Sequence, residues 1–314
     1  MRVAADSFHG RMVDIEQIPH FDLNRPLAAA ELSAAASRTG LFYISHPLFP
    51  ASRCEQALAD ARAFFDLPNG TKSQLAIERS PHFRGYSEMM NDRDWREQIH
   101  FGREEPARPV APAYNKLRGP NLWPADAAWR DRIIALMADL ERVGREILKA
   151  IAGFGAGDDP YLLLKLIHYR IPPGATPRSG VAPHVDFSWI TLLLQDGAGG
   201  LEARSPEGAW IEVPPFDGTL VVNIGEILQF ASGGRYLATP HRVVSNTRRS
   251  RLSLPFFLNP GLDTRVDGAP AGDLDDGCDH VHRVLTGCED DPFLFGEAEW
   301  RRKGLGVWCT TCVK

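Results

Sequence analysis

Residues 51–65 place Ala57, Leu58, Ala61, Phe64 and Phe65 at three- and four-residue steps and then run into Leu67-Pro68. That spacing predicts an amphipathic helix with a proline stop. An alanine-rich stretch over residues 26–39 ends at Gly40 and predicts another. The longest helix is expected over 124–154, where Ile133, Met137, Leu140, Val143, Ile147 and Ile151 share one face and Gly153 and Gly155 close it. After Asp158 the period changes. Short runs rich in β-branched and aromatic residues occupy 162–170, 189–194, 201–204, 210–213, 219–224, 242–245 and 251–258, with Gly, Pro, Asn and Asp between them. Short strands at such intervals predict a sandwich or barrel. Residues 20–22 read as one more strand near the N-terminus. The pattern is α+β, a helical first half (1–158) buttressing a β-rich core (159–264), with 265–314 as a C-terminal extension completing one folded unit, since no Ser/Gly/Pro-rich linker separates the parts.

The 314 residues are 44% hydrophobic and 24% charged with a formal net charge of −5, and no block of like charges stands out. A nucleic-acid surface or polybasic membrane patch is therefore not expected. Apolar runs are too short for a membrane span, which needs about 20 residues, and residues 1–8 lack the apolar stretch of a signal peptide. Five scattered cysteines suggest reduced thiols and a cytoplasmic protein, expected to be a monomer or weak homodimer.

Candidate chemistry concentrates in Pro183-His184-Val185-Asp186 and, far downstream, Thr239-Pro240-His241. In a strand, alternate residues share a face, so His184 and Asp186 can both look into a barrel while His241 arrives from a later strand. Two imidazoles and one carboxylate leave coordination positions open, which suits Fe(II) binding a co-substrate and O2. A second His-x-Asp, His20-Phe21-Asp22, lacks another anchor, and Asp279-His280-Val281-His282 reads as solvated surface. Beyond His241 lies Arg251-Leu252-Ser253. Alternation turns Arg251 and Ser253 to one face, where a guanidinium with a hydroxyl would receive a carboxylate. The other reading is that Arg251 belongs to a basic surface run, Arg248-Arg249-Ser250-Arg251.

Taken in order, these motifs resemble the isopenicillin N synthase-like family of iron(II)/2-oxoglutarate-dependent dioxygenases. The likeness includes Gly40-Leu-Phe-Tyr-Ile-Ser-His46, Phe64-Phe-Asp-Leu-Pro68 with Lys72, Arg84-Gly-Tyr86, Asn121-Leu-Trp-Pro124, His184-Val-Asp186 with Thr191-Leu-Leu-Leu-Gln-Asp196, Asn223-Ile-Gly225, Thr239-Pro-His-Arg-Val243 and Arg251-Leu-Ser253. The resemblance implies a double-stranded β-helix (jelly-roll) core, iron ligands His184, Asp186 and His241, and a 2-oxoglutarate carboxylate held by Arg251 and Ser253 with help from Tyr169. It implies oxidation of a C–H bond in a small biosynthetic or xenobiotic molecule, coupled to decarboxylation of 2-oxoglutarate by O2. Hydroxylation is the default outcome, with desaturation or ring closure as variants. Two alternatives are a relative that uses O2 without 2-oxoglutarate and a non-catalytic cupin-like ligand-binding module. His46 is expected to be structural, and the Cys309-x-x-Cys312 tail to lack the further ligands a structural zinc needs. Phe187, Trp189, Met89 and Phe101 are the expected substrate contacts, on the rule that pockets are mostly apolar.

Overall fold

The architecture comes from a computed structural model that describes residues 18–25, 29–91, 94–175, 178–245, 248–268 and 293–303. His280, His282 and the Cys309–Cys312 pair lie outside the described residues. The elements in chain order are β1 (His20–Asp22), α1 (Ala29–Arg38), β2 (Leu41–Ser45), α2 (Ala51–Phe65), α3 (Asn69–Gln74), β3 (Gly85–Met90), β4 (Trp95–Phe101) and α4 (Ala127–Ala152). There follow β5 (Leu162–Tyr169), β6 (Ser179–His184), β7 (Ile190–Gln195), β8 (Leu201–Arg204), β9 (Trp210–Glu212), β10 (Leu220–Ile224), α5 (Glu226–Ala231), β11 (His241–Val244), β12 (Arg251–Leu258), β13 (Arg265–Val266), β14 (Phe293–Leu294) and α6 (Phe295–Arg302).

The helices end where local chemistry stops them. The Asp126 carboxylate caps α4 by accepting from the Trp129 N–H, and Gly153 takes the left-handed conformation that closes it. Gly40, at φ +59, ends the α1 turn so tightly against the Leu237 carbonyl that a Cβ there would collide with it.

Two sheets face each other. The larger has the order β1-β2-β10-β7-β12-β5-β4-β3, and the smaller β6-β11-β8-β9. Alternation along β12 divides the molecule: Leu252, Leu254, Phe256 and Leu258 pack outward into the core with α1, α2 and α4, while Arg251, Ser253, Pro255 and Phe257 face the cavity between the sheets. Helix α4 presses on this outer face at Gly144, whose nearest neighbours would be Leu192 and Leu258. Burying each such leucine or phenylalanine contributes about 1.5–3 kcal/mol, so the outer row is what holds the sheet to its helices. A second apolar cluster, including Tyr43, Ile167, Tyr169, Val221 and Val243, lies between the sheets. The architecture is the double-stranded β-helix expected from the sequence.

The helical first half holds more strand than its pattern predicts. β2 pairs with β10, and the β3–β4 hairpin extends the large sheet beyond β5. The hairpin has no clean alternation because both faces carry polar groups. One face turns Gln98 into the cavity. The other buries Glu97 between Lys72, at 2.8 Å, and His168, also at 2.8 Å.

Candidate active site

His184 and His241 are placed by one antiparallel pairing, since β6 ends at His184 and β11 begins at His241, its register partner. Asp186 lies just past the end of β6 and not within a continuous strand, so the alternation argument reached the right face by a different backbone. The Asp186 turn is held from below: its carbonyl accepts from Glu226 N–H at 2.8 Å, and the Trp189 carbonyl accepts from Gly225 N–H at 3.0 Å. Gly225 is needed there, because a Cβ would meet Ser188.

The three side chains converge. The His184 and His241 rings are centred 4.4 Å apart, and their Nε2 atoms lie 3.6 Å and 3.8 Å from Asp186 Oδ1. The distal atoms are fixed elsewhere. His184 Nδ1 is 2.9 Å from the Ala182 carbonyl and His241 Nδ1 is 3.0 Å from that of Thr239. A carbonyl can only accept, so each Nδ1 carries the proton and each Nε2 presents a lone pair. Asp186 Oδ2 accepts from Thr191 Oγ1 at 2.7 Å and Asn223 Nδ2 at 2.8 Å, leaving Oδ1 directed at the two imidazoles. One ligand atom from each residue lies within 4.8 Å of the others, a spacing that can hold a metal ion. Burial, and then the neighbouring His241, pushes His184 down to about 4. Burial alone would raise the Asp186 carboxyl, but His241, His184 and the Asn223 and Thr191 donors outweigh it and hold it below its ordinary value.

Arg251 faces the same cavity and is 1% exposed. One Nη donates to Gln195 Oε1 at 3.1 Å, and the guanidinium sits 4.9 Å from the centre of the Tyr169 ring. Among the described residues its Nε and other Nη are buried without a hydrogen-bond partner. Ser253 lines the cavity beside it, and Tyr169 is the register partner of Arg251 on β5. The surface-run reading of Arg251 is therefore excluded by its burial.

The expected substrate contacts fare otherwise, and none of the four lines this cavity. Phe101 is fully buried and stacks on Trp123 with centres 4.6 Å apart. Phe187 stacks on Phe295 at 5.7 Å, and Trp189 packs edge-on against Phe154 at 5.2 Å; both belong to the outer core. Met89 faces Arg96, with 3.8 Å from its sulfur to a guanidinium nitrogen. Alternation along β4 turns Phe101 away from the cavity and the turn after β6 turns Phe187 and Trp189 into the core, while Met89 shares a face with Arg96 farther out along the hairpin. His20 bonds Ser45 at 2.8 Å and Asp22 caps Asn24, so that His-x-Asp is structural, as is His46, whose Nδ1 accepts from Leu48 N–H at 3.1 Å. Reading the sequence assigned no role to Thr191, Asn223, Gln195 or Lys165. The signal for Asn223 and Lys165 was present, since Asn223 is the lone polar residue of β10 and Lys165 interrupts the apolar run Leu162–Ile167 of β5.

Comparison with known proteins agrees with this geometry. Residues 161–260 match the 2OG-Fe(II) oxygenase superfamily, and residues 12–126 match the family described as non-haem dioxygenase in morphine synthesis N-terminal. A 2-oxoglutarate-dependent dioxygenase of Gibberella zeae is 32% identical over 283 residues, covering 77% of this chain and 74% of that protein. Another, from a Dothideomycetidae species, is 29% identical and covers 93% and 88%. Among solved structures, a 2OG-Fe(II) oxygenase family protein from Caulobacter crescentus superposes with a TM-score of 0.73 at 28% identity, covering 91% of this chain and 98% of that one. A full-length Neurospora crassa protein in complex with alpha-KG reaches 0.74 at 22% identity, covering 93% and 98%, and shares the fold. The chain belongs to the 2OG-Fe(II) oxygenase superfamily and is an Fe(II)- and 2-oxoglutarate-dependent dioxygenase.

Proposed function

We propose that His184, Asp186 and His241 hold the iron, and that Arg251 and Ser253, with Tyr169 behind the guanidinium, receive the distal carboxylate of 2-oxoglutarate. The observation that carries this reading is that Arg251 keeps two buried nitrogens without a partner among the described residues, in the same cavity as three converging atoms that could hold a metal ion. A buried guanidinium is costly unless an anion meets it, and a carboxylate matches its fork. When bound, iron supplies the oxidation of substrate by O2 that accompanies decarboxylation of 2-oxoglutarate to succinate and CO2.

The chain's own groups do the positioning. The Ala182 and Thr239 carbonyls prevent the imidazoles from turning, and Thr191 and Asn223 hold Asp186 Oδ2 so that Oδ1 faces inward. Leu193, Leu201, Val221 and Val243 wall the cavity and keep it poor in water. The outcome expected for the small-molecule substrate is hydroxylation of a C–H bond, by a protein acting as a monomer or weak homodimer without nucleic acid. The test is anaerobic titration with Fe(II) and then 2-oxoglutarate. The visible charge-transfer band of the chelate should saturate at one equivalent, and its absence would overturn the assignment.

A further inference from the structure

Lys165 is a cation that the iron and co-substrate leave unused. It stands on β5 two residues before Ile167 and four before Tyr169, so alternation turns it into the same cavity. Its Nζ lies 4.9 Å from the centre of the Phe257 ring, and Phe257 pairs in register with Thr191, whose hydroxyl donates to Asp186. The amine therefore sits within a side chain or two of the proposed iron ligands. Among the described residues no carboxylate is paired with it, whereas each cation around it has a carboxylate partner, although Arg96 keeps a buried Nε without one. Arg96 bonds Asp94 at 2.9 Å and the Gly180 carbonyl at 3.0 Å, and Arg302 and Lys303 both bond Glu299, at 2.6 Å and 3.3 Å. Burial, and then Arg96, Arg302 and Lys303, pushes the Lys165 amine down to about 7.

On the neighbouring strand four polar atoms are buried without a hydrogen-bond partner among the described residues, Trp95 Nε1, Arg96 Nε, Gln98 Oε1 and His100 Nε2, and the last two lie across from the Lys165 stretch of β5. In register, Gln98 lies across from Ile167 and His100 directly across from Lys165. Burial, and then the Lys165 charge, keeps His100 neutral. Pro255, Phe257, Ile167 and Leu193 supply apolar surface around this patch. Charge balance gives the patch a meaning. An iron dication, the Asp186 carboxylate, dianionic 2-oxoglutarate and the Arg251 guanidinium cancel, so the ammonium form of Lys165 has no counter-ion in this space and is favoured only when a ligand anion meets it.

We propose that the substrate carries a carboxylate on a largely apolar body, that Lys165 is the specificity residue receiving it, and that Gln98 takes a further polar hydrogen of the substrate. This rests on the assignment of Arg251 to the co-substrate. The probes are 4-phenylbutyrate and 6-phenylhexanoate with their primary amides, titrated into the anaerobic Fe(II)–2-oxoglutarate protein and followed by tryptophan fluorescence and the charge-transfer band. An ionic contact to a charged group corresponds to roughly tenfold or more, so the better acid should bind about tenfold more tightly than its amide. Lys165→Met should reduce that ratio to about one and Lys165→Arg should retain it, while 2-oxoglutarate affinity stays unchanged in both. Lys165→Gln serves as the neutral variant should Lys165→Met fail to fold. Acids no better than amides in the wild type would overturn the proposal. So would a neutral variant that still prefers acids, or one that loses 2-oxoglutarate affinity instead, which would place Lys165 on the co-substrate. A wild type that forms no charge-transfer band refutes the iron and co-substrate reading separately, because the acid–amide comparison by fluorescence can be run on the metal-free protein.

Discussion

Replacing Arg251 by methionine separates binding from folding more sharply than any other change in this cavity. In the absence of an anion the guanidinium loses about 1–3 kcal/mol for each of its two unpartnered N–H groups. Against that stand the bond to Gln195, about 1.5–3 kcal/mol, and the contact with the Tyr169 ring, about 0.5–2 kcal/mol. The two sides nearly cancel, and methionine fills a similar volume, so the unliganded variant should keep its stability to within about 2 kcal/mol. The liganded state differs. Removing one partner of a buried arginine–carboxylate pair costs about 3–5 kcal/mol, a loss of affinity between about a hundredfold and a few thousandfold. Thermal melts with and without 2-oxoglutarate read both quantities at once. A ligand at a hundred times its Kd stabilises the wild type by about 2.7 kcal/mol, and the variant should gain almost nothing at that concentration. An Arg251→Met protein that binds 2-oxoglutarate within threefold of wild type, by melt and by charge-transfer titration, would refute the anchor.

His184→Ala, Asp186→Ala and His241→Ala should each abolish turnover with the fold retained by circular dichroism, whereas His20→Ala, which removes only a bond to Ser45, should leave iron binding unchanged. Ser253→Ala deletes one hydroxyl bond to a charged group, about 1.5–3 kcal/mol, and should raise the 2-oxoglutarate requirement by about tenfold to a hundredfold, less than the change at Arg251. Trp189→Ala should destabilise the chain by about 3–5 kcal/mol in denaturant melts through loss of core packing against Phe154, with normal iron and 2-oxoglutarate titrations in the folded fraction. For Glu299, burial alone would raise the carboxyl, but Arg302 and Lys303 hold it down to about 2 from an ordinary 4.5. A depressed carboxylate contributes stability that is present above its unfolded value and lost as pH falls through its folded one. Glu299→Gln should therefore flatten the acid limb of the stability curve between pH about 4.5 and about 2.

The legible parts of this chain were those where one hydrophobic period ran unbroken. Helix α4 buries Ile133, Met137, Leu140, Val143, Ile147 and Ile151 as the spacing predicts. In β12 alternation put Arg251 and Ser253 on one face, and the structure continues the same pattern, with Pro255 and Phe257 beside them at the cavity and Leu252, Leu254, Phe256 and Leu258 in the core. The same rule hid the β3–β4 hairpin. Gln98 looks into the cavity, while Glu97, on the opposite face, is buried among Lys72, Tyr86, His168 and Arg170. With polar residues on both faces there is no hydropathy period to find. His184, Asp186 and His241 were legible because the motif order supplied what periodicity could not, namely that strands far apart in sequence pair at His184 and His241.

The substrate side fails for a different physical reason. Phe187 and Trp189 adjoin Asp186 in sequence, yet the turn after β6 sends both into the core beside Phe295 and Phe154. The residues that do line the cavity come from β2, β4, β5, β6, β7, β8, β10, β11 and β12, so no window of sequence contains them together. A more useful cue is inconsistency within a strand. A polar side chain within an apolar run of a strand is costly unless something meets it, and this side of the sheet carries Lys165 on β5, Thr191 and Gln195 on β7, and Asn223 on β10, Gln195 being met by Arg251. Thr191 and Asn223 are met by Asp186. Among the described residues Lys165 has the Phe257 ring and no anion, which is why the unassigned part of the site lies there and not among the aromatic residues that flank the proposed iron ligands in sequence.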